Sequence, residues 1–245
     1  MRLDAFLAEM KLYASRTRAE RAVKEGCVKI NGKVVKKCSY EVSPDDKVEC
    51  LPDPLRYVSR GALKLEYALK AFGIDVSGLR AIDVGASTGG FTQVLLENGA
   101  ASVTAVDVGT NQLDPKIAED PRVLSLEQTD IRTLSPEETG LFDILTCDCS
   151  FISLKAIFDA CHSLMKDGGS GIFLIKPQFE AGRGAVKKNG IVKDEKTRLA
   201  CVESVAEAAK ATGFEPVGQV LESPVKGGDG NTEYILAVKK RNKPI

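Results

Sequence analysis

The sequence predicts a doubly wound α/β domain, built on a parallel sheet with an antiparallel last strand, and a small α+β domain ahead of it. Three observations carry this. The apolar run 80–84 ends in the glycine-rich loop Gly85-Ala-Ser-Thr-Gly-Gly90, and an amphipathic segment follows. That is the order of strand, tight turn and helix N-terminus, where free backbone N–H groups favour a polar or anionic ligand. Further apolar runs of strand length recur at 102–106, 123–126, 142–147 and 171–175, and helical patterns separate several of them, notably 91–98 and 153–165. Near the N-terminus, Asn31-Gly32 joins Val28-Lys-Ile30 to Lys33-Val-Val35, a strong hairpin signal.

The chain has 245 residues, which suits one large or two modest domains. No apolar run approaches the ~20 residues of a membrane span, and Met1-Arg-Leu-Asp4 lacks the apolar core of a signal peptide. Charge is balanced overall but unevenly placed. Residues 1–60 hold 13 Lys and Arg against 9 Asp and Glu, so a small basic segment precedes a mildly acidic one and is suited to a polyanion. The seven cysteines include no C-x-x-C pair and there is one histidine, His162. A disulfide framework and a zinc site are thus disfavoured, and the thiols are expected to be reduced, at or near the core of a cytoplasmic protein. His162 lies in a helical pattern and is expected to pack or to face solvent.

Taken in order, Leu3, Phe6, Leu7 and Met10 have helical spacing. Ser15 caps a second expected helix through Glu25, with Ala19, Ala22 and Val23 on one face and Gly26 as its left-handed end. Lys47–Cys50 reads as a further short strand. Residues 51–60, with two prolines, are expected to link residues 1–50 to a second domain over 61–245. There, Leu65, Ala68, Leu69 and Phe72 form a helical stripe closed by Gly73, and bordering Lys64 is placed to project its ammonium into a cleft. A long helix at about 194–212 ends at Gly213. Strands at about 216–222 and 233–239 then flank the loop Lys226–Asn231 as an antiparallel pair.

The loop spacing Gly85-x-x-x-Gly89-Gly90 is not the G-x-G-x-x-G of dinucleotide sites, and no Lys-Ser/Thr follows it as in a P-loop. Asp107 closes the second run, where a carboxylate commonly accepts a ribose diol or simply terminates a strand in a turn. A nucleoside ligand without a pyrophosphate loop matches class I, Rossmann-like methyltransferases, which bind S-adenosyl-L-methionine. The expected cofactor contacts are Asp83, Gly85, Ser87, Gly89, Gly90, Phe91 and Asp107, with Asp130, ending the third run, near the adenine.

Asp148 follows the fourth strand and Lys176 the fifth, so both are expected at the carboxyl-end crevice with Lys64 and with Glu233 at the start of the last strand. Two lysines and two acids suit methylation of a ribose 2′-hydroxyl, which must lose its proton as it attacks. Lys176 as base needs a lowered pKa, which burial and the second cation favour and the two carboxylates oppose, so the sign stays open at this level. Taken singly, a lysine or aspartate after a strand is more often a surface group or a cap.

Two resemblances sharpen these readings. Residues 2–50, through Arg2-Leu-Asp4, Ser15-Arg16, Ala19, Val23, Gly26 and Val28–Val35, resemble an S4 RNA-binding domain. That implies contacts to structured RNA from Arg2 and from the basic face of Arg16, Arg18, Arg21, Lys24, Lys29 and Lys33, with Arg60 at the end of the linker. Lys64, Asp148, Lys176 and Glu233 resemble the Lys-Asp-Lys-Glu tetrad of FtsJ/RrmJ-like ribose 2′-O-methyltransferases. Tyr57–Gly61, Lys64–Glu66, Asp83–Phe91, Ser150–Ser153, Lys176–Arg183 and Gly230–Tyr234 extend the likeness to the TlyA family over almost the full length. This implies S-adenosyl-L-methionine-dependent methylation of cytidine ribose in ribosomal RNA of one or both subunits, by a protein expected to act as a monomer. The sequence departs from that family's usual pattern at Ala62, at Asp107–Gln112 and at Asp130. Three other readings compete: a haemolysin, suggested only by a label common in the family; an RNA-binding protein whose methyltransferase fold has lost its chemistry; and an NAD-dependent oxidoreductase, disfavoured by the glycine spacing.

Overall fold

Asn31 and Gly32 take φ angles of 51° and 77°, the paired left-handed conformation that a two-residue hairpin turn demands. The computed structural model that shows this describes residues 1–13, 16–24, 26–50, 57–182, 190–227 and 230–241, and divides into two units, Met1–Arg56 and Tyr57–Ile245. The Ser15 cap, Glu25, linker residues 51–56, Arg183 and the Gly228-Asp229 part of the late loop lie outside the described residues.

In the first unit, α1 (Leu3–Glu9) and α2 (Arg16–Lys24) pack on a three-stranded antiparallel sheet of order β2 (Lys33–Val34), β1 (Val28–Ile30) and β3 (Val48–Cys50). The core joins Leu3 and Leu7 of α1, Ala19, Ala22 and Val23 of α2, and Val28 and Ile30 of β1. Met10, expected on the apolar face of α1, lies beyond its end and is exposed. Gly26 takes φ 80° after α2, which a residue with a Cβ adopts only with strain.

The second unit opens with α3 (Ala62–Phe72), closed by left-handed Gly73. Alternation of strands and helices then runs through β4 (Arg80–Val84), α4 (Gly90–Glu97), β5 (Ser102–Val106), α5 (Pro115–Ala118), β6 (Val123–Leu126), α6 (Pro136–Thr139), β7 (Phe142–Cys147), α7 (Phe158–Leu164) and β8 (Met165–Ile175). After α8 (Pro177–Glu180) and α9 (Glu195–Thr212) come β9 (Phe214–Pro216), β10 (Leu221–Glu222) and β11 (Tyr234–Lys240). The sheet order is β10-β11-β8-β7-β4-β5-β6, with β9 also on β11. β8, β7, β4, β5 and β6 are parallel, and β11 pairs antiparallel with β8. The chain steps outward from β4 to β5 and β6, then returns to the other side of β4 as β7. The crevice between β4 and β7 is therefore the switch point at which such sheets bind ligands.

The central strands feed two cores. On β8, Ile172 and Leu174 join α3 and α4 on one face, while Phe173 and Ile175 join α7 and α9 on the other. Strands covered on both faces read as continuous apolar runs, which is why the sequence located them.

Several boundaries differ from expectation. β8 begins at Met165, six residues early, because α7 ends at Leu164 and the chain extends at once. The expected helix 153–165 is split into a 3₁₀ turn, Leu154–Ala156, and α7. The expected strand 216–222 is two short strands, since Gly218 at φ 67° turns the chain between them. Glu233 precedes β11 rather than starting it, although its carbonyl accepts from Ser223 N–H at 2.9 Å.

A buried carboxylate anchors the first unit. Asp4 is fully buried in the first turn of α1 and accepts from Arg2 Nε and Nη2 at 3.1 and 3.0 Å, and from Arg16 Nε and Nη2 at 3.1 and 2.9 Å. The Arg2 hydrogen bonds, helped by Arg16 and the Ala5 N–H against the opposing effect of burial, hold its carboxyl well below the usual carboxylate range. A depressed pKa contributes stability that is fully present above the unfolded value of about 4 and drains away as pH falls below it. Asp4→Asn should therefore reduce amide-exchange protection in α1 about tenfold at pH 7. The gap from wild type should narrow below about pH 4. Equal protection in the two proteins at pH 7 would reject the anchor.

Candidate active site

Three neighbouring strands and one helix bring the four polar residues together. Asp148 leaves the carboxyl end of β7, Lys176 leaves that of β8, Glu233 leads into β11, and Lys64 reaches in from the first turns of α3. Lys64 Nζ lies 2.5 Å from Glu233 Oε2 and 3.5 Å from Asp148 Oδ2. Lys176 Nζ lies 2.7 Å from Asp148 Oδ1 and donates to Ser150 Oγ at 2.8 Å. Asp148 thus stands between two ammonium groups. Both lysines are 7% exposed and Glu233 3%. Burial of this depth requires charges to be matched, and the cluster carries two of each sign.

Burial pulls the Lys176 pKa down, but Asp148, and behind it Glu233, more than offset this, so it stands above the ordinary lysine value. The direction is that of an ammonium at rest, fixed by Asp148.

Beside the cluster, at the carboxyl ends of β4, β5 and β7, lies a cavity of about 530 Å³ lined in part by Gly85, Ser87, Asp107, Asp130, Asp148 and Phe151. Gly85, at φ 79°, is required twice over. Its turn is left-handed, and an added Cβ would sit 3.1 Å from the Asp148 backbone. Asp107 accepts from Ser87 N–H and Gly109 N–H, both at 2.8 Å, which fixes its carboxylate at the cavity wall. Asp130 lies past β6, which ends at Leu126 rather than at Asp130. It caps the 3₁₀ turn Ile131–Thr133 and pairs with Arg132, which holds its carboxyl below the ordinary value.

Four residues expected at the cofactor do not line this cavity. Gly89 is the left-handed N-cap of α4, and a Cβ there would meet Leu113 at 2.8 Å and Ile117 at 3.1 Å. Gly90 packs against Ser59, and Phe91 belongs to the α3–α4 core. Asp83 is fully buried, accepting from Thr92 Oγ1 at 2.7 Å and Thr146 Oγ1 at 2.9 Å. Burial pushes its carboxyl up to about 6, against the two hydroxyl donors. These four shape the loop from behind.

Among the basic residues, Arg2 and Arg16 are engaged by Asp4 while keeping side chains about half exposed. Lys24, Lys33 and Arg60 are exposed, and Arg18, Arg21 and Lys29 half-buried. Sequence reasoning missed Ser150 as a partner of Lys176. It also missed Asn231, buried, which accepts from Val192 N–H at 3.0 Å and donates to the Gly190 carbonyl at 2.9 Å, fixing the approach to Glu233. The third omission is Phe151, 91% exposed at the cavity mouth with φ 65°. A phenylalanine in a polar turn was the available signal for it.

Matched burial has a measurable consequence. Lys64→Met strands Glu233 without its cation and should cost about 3–5 kcal/mol. Adding Glu233→Leu leaves Asp148 and Lys176 as a balanced pair and should restore most of that loss in calorimetric unfolding. A double variant as unstable as the single one would show that charge matching is not what holds the cluster.

A model of the FtsJ-like methyltransferase family matches residues 57–240, and one of the S4 domain matches residues 1–48. The 16S/23S rRNA (cytidine-2′-O)-methyltransferase TlyA of Mycobacterium tuberculosis is 44% identical over 237 residues, 96% of this chain and 88% of that protein. Hemolysin A of Brachyspira hyodysenteriae is 37% identical, over 96% of this chain and 98% of that protein. A solved structure from Streptococcus thermophilus matches with a TM-score of 0.78 at 41% identity, covering 100% of this chain and 90% of that one. With the family model matching residues 57–240 and relatives of this identity aligned over 96% of this chain, the chain belongs to the FtsJ-like methyltransferases, in the TlyA branch that carries an S4 domain in front.

Proposed function

We propose that the protein methylates cytidine ribose 2′-hydroxyls in ribosomal RNA, using S-adenosyl-L-methionine. The observation that carries this is the buried, charge-matched cluster of Lys64, Asp148, Lys176 and Glu233 at the edge of a nucleoside-sized cavity. S-adenosyl-L-methionine, when bound, supplies a methyl group on a cationic sulfur. The cavity suits such a ligand: Asp107 offers carboxylate oxygens to a ribose diol, and Gly85 leaves room against the Asp148 backbone.

The chemistry then falls to the chain's own groups. A ribose hydroxyl attacks only as its proton departs, and Lys176 is the group that takes it. In the resting protein its ammonium is fixed by Asp148 and Ser150, so it must first release a proton to solvent. The cluster, neutral at rest, then carries one net negative charge, which favours a cationic donor beside it. Lys64 keeps Asp148 and Glu233 compensated while Lys176 changes charge. Alignment of the hydroxyl in the crevice contributes further rate.

Phe151 gives the acceptor nucleotide a surface. An exposed ring beside the reacting groups stacks on any base, and an S4 domain with exposed Lys24 and Lys33 supplies contacts to RNA phosphates. The name Hemolysin A stays with the Brachyspira protein. Among the described residues no helix is long and apolar enough to cross a membrane, and no observation favours a second reading.

Lys176→Ala should reduce methyl transfer to ribosomal subunits from a gene-deletion strain by about 10²–10⁴-fold. Calorimetric affinity for S-adenosyl-L-methionine should change little. Because the Lys176 pKa is raised, the neutral base becomes more abundant as pH rises, so single-turnover transfer should increase with pH across the neutral range. Full transfer by Lys176→Ala would remove the lysine from the mechanism.

A further inference from the structure

Phe151 combines two costs, a bulky residue in the left-handed region and an almost fully exposed aromatic ring. Such a conformation persists only where the surroundings over-determine it, and it collects at functional sites. Three contacts, all from the segment after β8, hold the loop that carries it. One residue before Phe151, Ser150 Oγ accepts from Lys176 Nζ at 2.8 Å. At Phe151 itself, the ring of Phe179 lies 5.2 Å away, centroid to centroid, at 49°. Beyond it, the Glu180 carboxylate accepts from Ser153 Oγ at 2.6 Å and from Leu154 N–H at 2.8 Å. Glu180 also satisfies the first turn of the 3₁₀ segment that follows, so the loop is fixed on both sides of the strained residue.

We propose that Glu180 is a positioning residue for the acceptor nucleotide, acting through Phe151: its carboxylate fixes the turn 151–154 so that the ring faces the mouth of the cavity and stacks on the base whose ribose is methylated. This rests on the reading of Phe151 given above and deepens it. Glu180 touches neither the cavity nor the cluster, since its two oxygens are directed to Ser153 and Leu154. Its removal should therefore affect RNA and spare the methyl donor. Both partners donate to the carboxylate, so Glu180→Ala removes both acceptors at once. Glu180→Gln is the conservative control, because its carbonyl oxygen can accept from Leu154 N–H while its NH₂ donates to the Ser153 hydroxyl, which accepts as well as donates.

The test is a double-mutant cycle on the full chain with ribosomal subunits from the gene-deletion strain, reading KM for subunits, kcat, and calorimetric affinity for S-adenosyl-L-methionine. Phe151→Ala should raise KM about tenfold through lost stacking. Glu180→Ala should raise it by a comparable factor, with donor affinity within twofold of wild type, and Glu180→Gln should recover most of that loss. The double variant of Phe151→Ala and Glu180→Ala should be no worse than the poorer single one. Ser153→Ala, which removes one donor, should show a smaller rise of the same kind and carries the cycle if Glu180→Ala does not fold. Multiplicative losses in the double variant, a wild-type KM in Glu180→Ala, or an equal loss of donor affinity would overturn the role of Glu180. A wild-type KM in Phe151→Ala would instead reject the platform and Glu180 with it. Absence of transfer by the wild-type protein would reject the proposed function itself.

Discussion

The carboxylate of Asp148, placed between two buried ammonium groups, is the interaction on which the second unit's chemistry depends. It needs β7 to end where β4 ends, so that Asp148 N–H reaches the Val84 carbonyl at 3.0 Å. It needs glycine at position 85, because any Cβ would press on the Asp148 backbone. It also needs β11 antiparallel to β8, which brings Glu233 to the same end of the sheet as Lys176. The unusual last strand is thus what completes the charge balance. A parallel strand in that position would deliver its leading residue to the opposite edge.

Much of this was legible in the sequence, for identifiable reasons. Strands β4, β5, β6 and β7 were located to the residue because their runs are mainly apolar, and for β4, β5 and β7 because both faces are covered. Lys64, Asp148, Lys176 and Glu233 could be brought to one crevice because strand ends in such sheets share an edge. What could not be read depended on direction rather than on position. Asp83 and Phe91 belong to the glycine-loop segment, yet their side chains are directed into the core, and periodicity cannot tell the cavity side of a loop from its back. The split of the expected strand 216–222 turned on Gly218, whose left-handed φ is one option among several for glycine. Glu180 and Asn231 act on backbone groups far away in the chain, which no local pattern reveals.

The lysine at the centre is poised by opposition rather than by simple depression of its pKa. Burial alone would discharge Lys176, and the carboxylates alone would fix its proton more firmly. The observed balance favours the ammonium, which keeps the cluster neutral and the unit stable until a proton is required to leave. A site depressed far enough to hold a neutral lysine at rest would leave Asp148 and Glu233 under-compensated, at the cost that buried charges carry.

The two units solve the same electrostatic problem with different cations. Asp4 collects Arg2 and Arg16, and Asp148 collects Lys64 and Lys176. Guanidinium groups fork onto a carboxylate and do not give up a proton in the accessible pH range, so the Asp4 cluster is a permanent fastening of α1 to α2. Ammonium groups are compact and exchange their proton when burial and neighbours shift, so the Asp148 cluster can change its net charge by one during a reaction. Under the proposed mechanism, arginine at position 176 would preserve the ion pair with Asp148 while removing the proton transfer. Lysine there, where a structural clamp in the same chain uses arginine, is the choice expected of a site proposed to move charge rather than hold it.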